Sequence, residues 1–416
     1  MCHNRKRDTM QPSGSGAFRG GLRSFFLGLR RHTSSGLYVP ELDGLRFVAI
    51  LFVFLYHVSG DVIRHALPLD PTPSSVAYVL LGRLNIGVPL FFAISGMILG
   101  LPFARYWLHT GPRVSLKRYF LRRVTRLEPP YLIAMILFFV LKYVGHRGTI
   151  GEMLPHLAAS LVYLHGFIYR EFSTINGVAW SLEVEVQFYI LAPLLAVVFA
   201  IGNAWLRRAV IGVAILLASF WTPWIVDLNA ARLSPSIWLR HLSLAGNIQY
   251  FLAGFLMADF FLSMPPAAHR NRRWDLVSLA GWPLLMVLLV AAPDLAFIAL
   301  PAMILTLYAA VFYGDASNRA FAQVWVASIG GMCYSIYLLH NYFIALIGFV
   351  TERVGQTLSF DVRFAIQALL MTPIVLAISI CYYRLIEQPC MNPDWPARLR
   401  DFVTSKGRSI AVARRA

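Results

Sequence analysis

Ten stretches of this sequence are apolar over the length a helix needs to cross a lipid bilayer, and that constraint precedes every other. They are residues 45–63, 76–101, 127–145, 178–201, 209–226, 245–263, 274–292, 295–313, 325–350 and 362–384. Roughly 20 apolar residues, rising ~1.5 Å each as a helix, cover the ~30 Å of a hydrocarbon core. The chain is 58% hydrophobic and 14% charged, whereas soluble domains average about a quarter charged residues. A soluble globular enzyme is therefore excluded. The expected fold class is all-α, a polytopic integral membrane protein with about ten transmembrane helices. An eleventh apolar run, 152–168, is interrupted by Pro155, His156 and His165.

The net charge of +17 admits two explanations, a nucleic-acid surface or cytoplasmic loops, and placement separates them. With 152–168 outside the hydrocarbon, 26 Lys and Arg fall on one side of the membrane and 6 on the other. If that run crosses, the split weakens to 18 against 14. The positive-inside bias selects ten spans with both termini cytoplasmic and 146–177 as an outer segment. The basic residues then lie in short segments between spans rather than on one domain face, which argues against nucleic acid. Residues 1–37 read as a basic, mostly disordered cytoplasmic tail, 38–390 as the membrane domain and 391–416 as a second basic tail. Phe25–Leu29 is too short for the apolar region of a signal peptide. Cys2, Cys333, Cys381 and Cys390 form no CxxC pair. They argue against zinc or redox chemistry, exclude a disulfide framework, and leave no metal site expected.

Ionisable side chains within spans are costly and point to function by default. Glu41-Leu-Asp43-Gly-Leu-Arg46 runs into an apolar helix carrying His57. Arg46 and His57 are separated by about three helical turns, or ~16 Å, and so share roughly one face. The structural alternative is a snorkelling arginine and a satisfied buried imidazole. Trp180-Ser-Leu-Glu183-Val-Glu185-Val-Gln-Phe-Tyr189 carries two carboxylates into a span on different faces. A helix N-terminus accounts for Glu183, but Glu185 lies deeper and needs a partner. Arg123 and Arg126 share a helix face at i, i+3 and suit bidentate contacts to a phosphorylated cofactor. Arg113, Lys117 and Arg118 read as charges that set topology. Ser95 and Gly96 read first as close helix packing, and His340 is a second intramembrane histidine.

Taken together, these stretches resemble acyltransferase family 3, integral-membrane enzymes that acylate carbohydrates. The resemblance runs from about residue 40 to 390. It rests on Arg46-x10-His57 after Leu42-Asp43-Gly44, Phe91-Phe92-x2-Ser95-Gly96 and Arg122-Arg123-x2-Arg126 followed by Pro129 and Tyr131. Trp180-Ser-Leu-x2-Glu185-x2-Phe188-Tyr189, Ser335-x-Tyr337-Leu338-x-His340 and Ile386-Glu387-x-Pro389 complete it in family order. Two positions depart from the family: Pro89 stands where many members are acidic, and Val186 where a second glutamate is common. The 32 residues after Arg384 are too few for the extra soluble domain of some relatives.

The resemblance implies acyl transfer, commonly acetyl, from cytoplasmic acyl-CoA to a hydroxyl of a carbohydrate or lipid-linked glycan, in the bacterial inner membrane. Acyl-CoA would be a donor substrate, with no permanently bound cofactor. His57 is the expected general base, Glu185 the acid orienting it, and Arg46 a stabiliser of negative charge on the thioester oxygen or the donor phosphates. Arg123 and Arg126 would hold the CoA phosphates. Asp43, Ser95, Trp180, Tyr189 and His340 are further candidates, Ser95 as a relay nucleophile lacking a sequence-local base. The competing reading is a proton-coupled transporter or glycan exporter. Clustering of the charged motifs in the first four spans, without related halves, favours the enzyme.

Overall fold

The computed structural model describes residues 21, 23–31, 38–65, 75–221, 238–239, 241–392 and 395. Residues 1–20, 32–37 and 396–416 of the expected tails, and 222–226 of the fifth apolar run, lie outside the described residues. Among the described residues ten helices have the length and apolar character to span a membrane. In chain order they are α1 (Pro40–Arg64), α2 (Val76–Trp107), α3 (Leu116–Val144), α6 (Ala179–Ala200), α7 (Ala204–Trp221), α8 (Leu244–Ser263), α9 (Arg273–Ala291), α10 (Pro293–Tyr313), α12 (Cys333–Thr351) and α13 (Phe360–Cys390). Shorter helices α4 (Ile150–Leu161), α5 (His165–Tyr169) and α11 (Val324–Gly331) complete the numbering. The protein is thus an all-helical integral membrane protein.

Local sequence explains where these helices begin. The Ser115 hydroxyl accepts from the Arg118 amide at the start of α3. Helix α3 therefore begins well before the apolar run at 127, and Arg118, Arg122, Arg123 and Arg126 extend the span as helix rather than forming a loop. Thr149 and Glu152 form a reciprocal capping box that starts α4. Twelve residues of α4 reach only ~18 Å, too short to cross. Tyr163, with φ of 59°, then turns the chain into α5, so the run 152–168 does not span.

The run 325–350 is not one helix. It breaks at Met332, directly after Gly330-Gly331, two residues with poor helix propensity. A Cβ on Gly330 would sit 1.7 Å from the Asp43 carbonyl, so α11 crosses α1 backbone against backbone.

Helices α2 and α8 occupy the interior. A Cβ on Gly96 would lie 2.1 Å from the Phe251 carbonyl, and one on Gly254 2.1 Å from that of Ala93. These glycines let the two backbones touch, as small residues do where lipid-embedded helices pack. Phe251 stacks on Phe188 of α6 at 4.0 Å and on Phe92 at 4.6 Å. By contrast α9 and α13 turn Leu279 (74% exposed) and Leu369 (78%) outward, which only a lipid environment makes favourable. Gly96→Ala is expected to force α2 and α8 apart and cost ~1–3 kcal/mol of stability. A melting temperature unchanged in detergent would contradict this close crossing.

Among the described residues Arg31, Arg46 and Arg126 lie together at one end of the bundle, here termed the basic end. Trp395 donates its indole N–H to the Thr125 carbonyl (2.8 Å) there. Residues 23–31 also pack there although they fall within the expected disordered tail. Residues 23–28 are helical, and Leu29 is wholly buried. An apolar side chain with a site to fill fixes this short segment.

Candidate functional site

Two polar centres lie along α1. The first is at the basic end. Asp43 is fully buried and pairs with the Arg46 guanidinium, while Arg31 Nη2 stands 3.7 Å from the same carboxylate. Arg46, expected to meet the donor, therefore spends part of its charge on Asp43. Nearby, Glu387 of α13 accepts from the Ser335 amide (3.0 Å) and hydroxyl (2.5 Å). Arg126 acts electrostatically on Glu387, and its Nε is buried without a hydrogen-bond partner.

A cavity of about 180 Å³ opens beside this centre between α3 and α6, lined by Arg123, Glu128, Tyr163, Glu185, Tyr189 and Tyr334 among others. Arg123 donates to the Tyr119 carbonyl (2.8 Å), with its guanidinium 3.7 Å from the Tyr119 ring centre and 5.5 Å from that of Tyr189. Aromatic faces hold it in place by cation–π attraction. Although Arg123 and Arg126 share a helix face, one lines the cavity and the other turns towards Glu387.

Glu185 accepts a hydrogen bond from the Ser95 hydroxyl of α2. Among the described residues no hydrogen bond or ion pair joins Glu185 to His57, the residue it was expected to orient. The reason is helix packing, because α6 leans on α2 and brings Glu185 to Ser95. Ser95, which has no base nearby in sequence, has a carboxylate on its hydroxyl in space. Trp180 is partly buried and packs edge-on to Phe92 (6.4 Å), against the core.

The second centre contains His57. Its ring centre lies 4.9 Å from that of His340 on α12, at an interplanar angle of 61°. His340 Nδ1 lies 2.8 Å from the Tyr337 carbonyl and 3.1 Å from that of Ile336. Carbonyls only accept, so Nδ1 carries the proton. The neutral ring then keeps its lone pair on Nε2, which is buried without a hydrogen-bond partner. The sequence motif contained His340, but only the crossing of α1 and α12 makes it the neighbour of His57.

Among the described residues one group has the composition of a metal site: His156, His165 and Glu171, outside the spans, with ligand atoms within 4.8 Å of one another. His156 Nδ1 and His165 Nε2 lie 2.8 Å apart, the distance of a direct N–H···N hydrogen bond. Burial and the neighbouring His156 push His165 down to about 4.

Comparison with known proteins follows this geometry. Over 201 residues the chain is 25% identical to the peptidoglycan O-acetyltransferase OatA of Listeria monocytogenes, covering 44% of this chain and 29% of that protein. A Staphylococcus aureus protein whose O-acetyltransferase name is provisional is 25% identical over 169 residues, 38% of this chain and 25% of its own. The regulator of hypoxia-inducible factor 1 of Caenorhabditis elegans is 29% identical over 178 residues, 37% of this chain and 33% of its own. The matched regions thus span a third or less of these relatives' lengths. No solved structure matches the chain. The acyltransferase domain that defines acyltransferase family 3 matches residues 39–384, nearly the whole bundle, and the chain belongs to that family.

Proposed function

We propose that the protein is a membrane O-acyltransferase that moves an acyl group, most simply acetyl, from acyl-CoA to a hydroxyl of a carbohydrate or lipid-linked glycan. The observation that carries this reading is the His57–His340 pair, two imidazoles in contact within a bundle that also holds a cationic cluster at its basic end. An imidazole is the usual side chain for removing a hydroxyl proton. In the reaction the acceptor oxygen bonds to the acyl carbon while the C–S bond breaks. The hydroxyl proton passes to His57 and finally to the departing thiolate. His340, its tautomer held by two carbonyls, positions the His57 ring.

At ~180 Å³ the cavity beside Arg123 is smaller than the several hundred Å³ of a whole-ligand pocket. It suits one stretch of a long donor rather than the whole, with Arg123 and Glu185 at its wall. The positive-inside bias puts the basic end, and with it both termini, in the cytoplasm of a bacterial inner membrane. An acceptor hydroxyl then reaches the histidines from the opposite side. The O-acetyltransferase name of the Listeria relative supports acetyl as the group and a glycan as the acceptor class.

The test is an assay of purified protein in lipid nanodiscs with acetyl-CoA and a panel of oligosaccharide and lipid-linked glycan acceptors. Acceptor-dependent release of CoA thiol, with a mass gain of one acetyl group on the acceptor, is the expected result. Absence of transfer from every acyl-CoA, together with proton-coupled solute flux in proteoliposomes, would replace the enzyme by the transporter reading.

A further inference from the structure

The segment 23–31 does more than fill a hydrophobic site. Its backbone is tied down at two points: the Phe26 carbonyl accepts from the Ser328 hydroxyl (2.7 Å), and that of Gly28 from the Gln388 amide (3.1 Å). Arg384 lies 5.8 Å from the Phe25 ring centre. Leu29 anchors the strap's end, and two residues later Arg31 points inward with 11% of its side chain exposed.

The surroundings of Arg31 are short of negative charge. Arg46 and Arg126 both act on it electrostatically, and Asp43 is shared between Arg31 and Arg46. The other carboxylate in reach, Glu387, is already engaged by Ser335. Three guanidiniums therefore face two carboxylates. The Nε atoms of Arg31 and Arg126 are both buried with no hydrogen-bond partner. Burial, with the neighbouring Arg46, pushes Arg31 down to about 9, as crowded positive charge should. Buried donors without acceptors are expensive, and the guanidinium fork matches a phosphate's oxygens in pairs. Asp43 Oδ2 is also buried without a partner and reaches neither Nε, so a phosphate at this place would supply charge and acceptors where the carboxylate does not.

Arg46 and Arg126 are the donor contacts that the family resemblance implies; we infer that the strap 23–31 adds Arg31 to them as a further guanidinium for the phosphates at the nucleotide end of the acyl donor. This rests on the acyl-CoA reading proposed above and extends the donor site to a segment outside the membrane bundle. A phospholipid headgroup offers the same phosphate chemistry, and the experiment separates the two sources.

Binding of CoA and of dephospho-CoA, and the use of acetyl-CoA against S-acetylpantetheine, are compared for wild type, Arg31→Gln and Arg31→Lys in phosphatidylcholine nanodiscs. The removal of a charge-assisted contact predicts about tenfold or greater loss of CoA affinity in Arg31→Gln. The preference for acetyl-CoA over S-acetylpantetheine should shrink in step, with Arg31→Lys intermediate because it keeps charge without the fork. The ratio of the two donors is read within one preparation, so partial misfolding does not mimic the effect. If wild type binds CoA and Arg31→Gln binds it equally, the Arg31 assignment is overturned while the acyl-CoA reading stands. If wild type binds neither nucleotide, the acyl-CoA reading fails and takes this assignment with it. The measurements are repeated with phosphatidylglycerol in the discs. Should Arg31→Gln alter stabilisation by that lipid and leave CoA binding intact, the phosphate is a headgroup and the donor assignment is overturned.

Discussion

His57→Ala is expected to lower acyl transfer by about 10²–10⁴-fold, the usual contribution of a positioned general base, while leaving the protein folded. The second half follows from its contacts. His57 makes no hydrogen bond to any described residue and touches its surroundings through the Tyr56 and His340 rings (5.2 and 4.9 Å). Its loss removes a reactive group without orphaning a buried polar partner. Initial rates with saturating acetyl-CoA, alongside a melting curve in the same detergent, separate the two effects. Activity within about tenfold of wild type in a folded variant would remove His57 from the base role. His340→Gln adds a check on the positioning argument. Its pH–rate profile should shift if His340 tunes His57, and a residue that only fills space would leave the profile alone.

The largest loss of stability is expected from Asp259→Ala. Asp259 on α8 is fully buried and accepts from the Nε of Arg207 and of Arg208 on α7, each at 2.6 Å. Arg207, 2% exposed, also donates to the Ile201 carbonyl (2.6 Å), and Arg208 lies 4.4 Å from the Phe260 ring centre. An exposed pair would contribute only ~0–1 kcal/mol. Here removal of the carboxylate leaves guanidiniums buried without a counter-charge, a change that costs ~3–5 kcal/mol. That figure measures the broken triad and says little about its net worth against an apolar isostere. Asp259→Asn should cost less, since the amide oxygen still accepts. Thermal or SDS-induced unfolding reads both variants, and an alanine variant as stable as wild type would contradict the triad.

Arg207 and Arg208 illustrate what sequence reading could reach. As members of a short basic segment they enter the charge count, but nothing near them in sequence announces Asp259, a lone acid inside an apolar run. The same limit hid the partner of Ser95. Glu185 stands 90 positions away, on a helix whose approach depends on how α6 and α2 interlock. Glu185 and His57, assigned to one mechanism, meet different neighbours for this reason. Residues 23–31 show the converse case. Their basic, glycine- and serine-containing surroundings read as solvated tail, and the burial of Leu29 became visible only against the site that receives it.

What the sequence determined by itself was everything decided within one element: ten spans, the side on which basic charge accumulates, and the placement of Arg46 and His57 on one face of one helix. Hydropathy, charge bias and the 3.6-residue turn act over neighbouring residues, so they can be read in a line. Only the tertiary structure decided which polar groups meet: His57 with His340, Ser95 with Glu185, Arg31 with Asp43, and Asp259 with two arginines. In lipid those pairings follow from how closely helix surfaces can approach, as at Gly96 and Gly254. Close approach depends on the shapes of two faces together, which neither sequence segment carries alone.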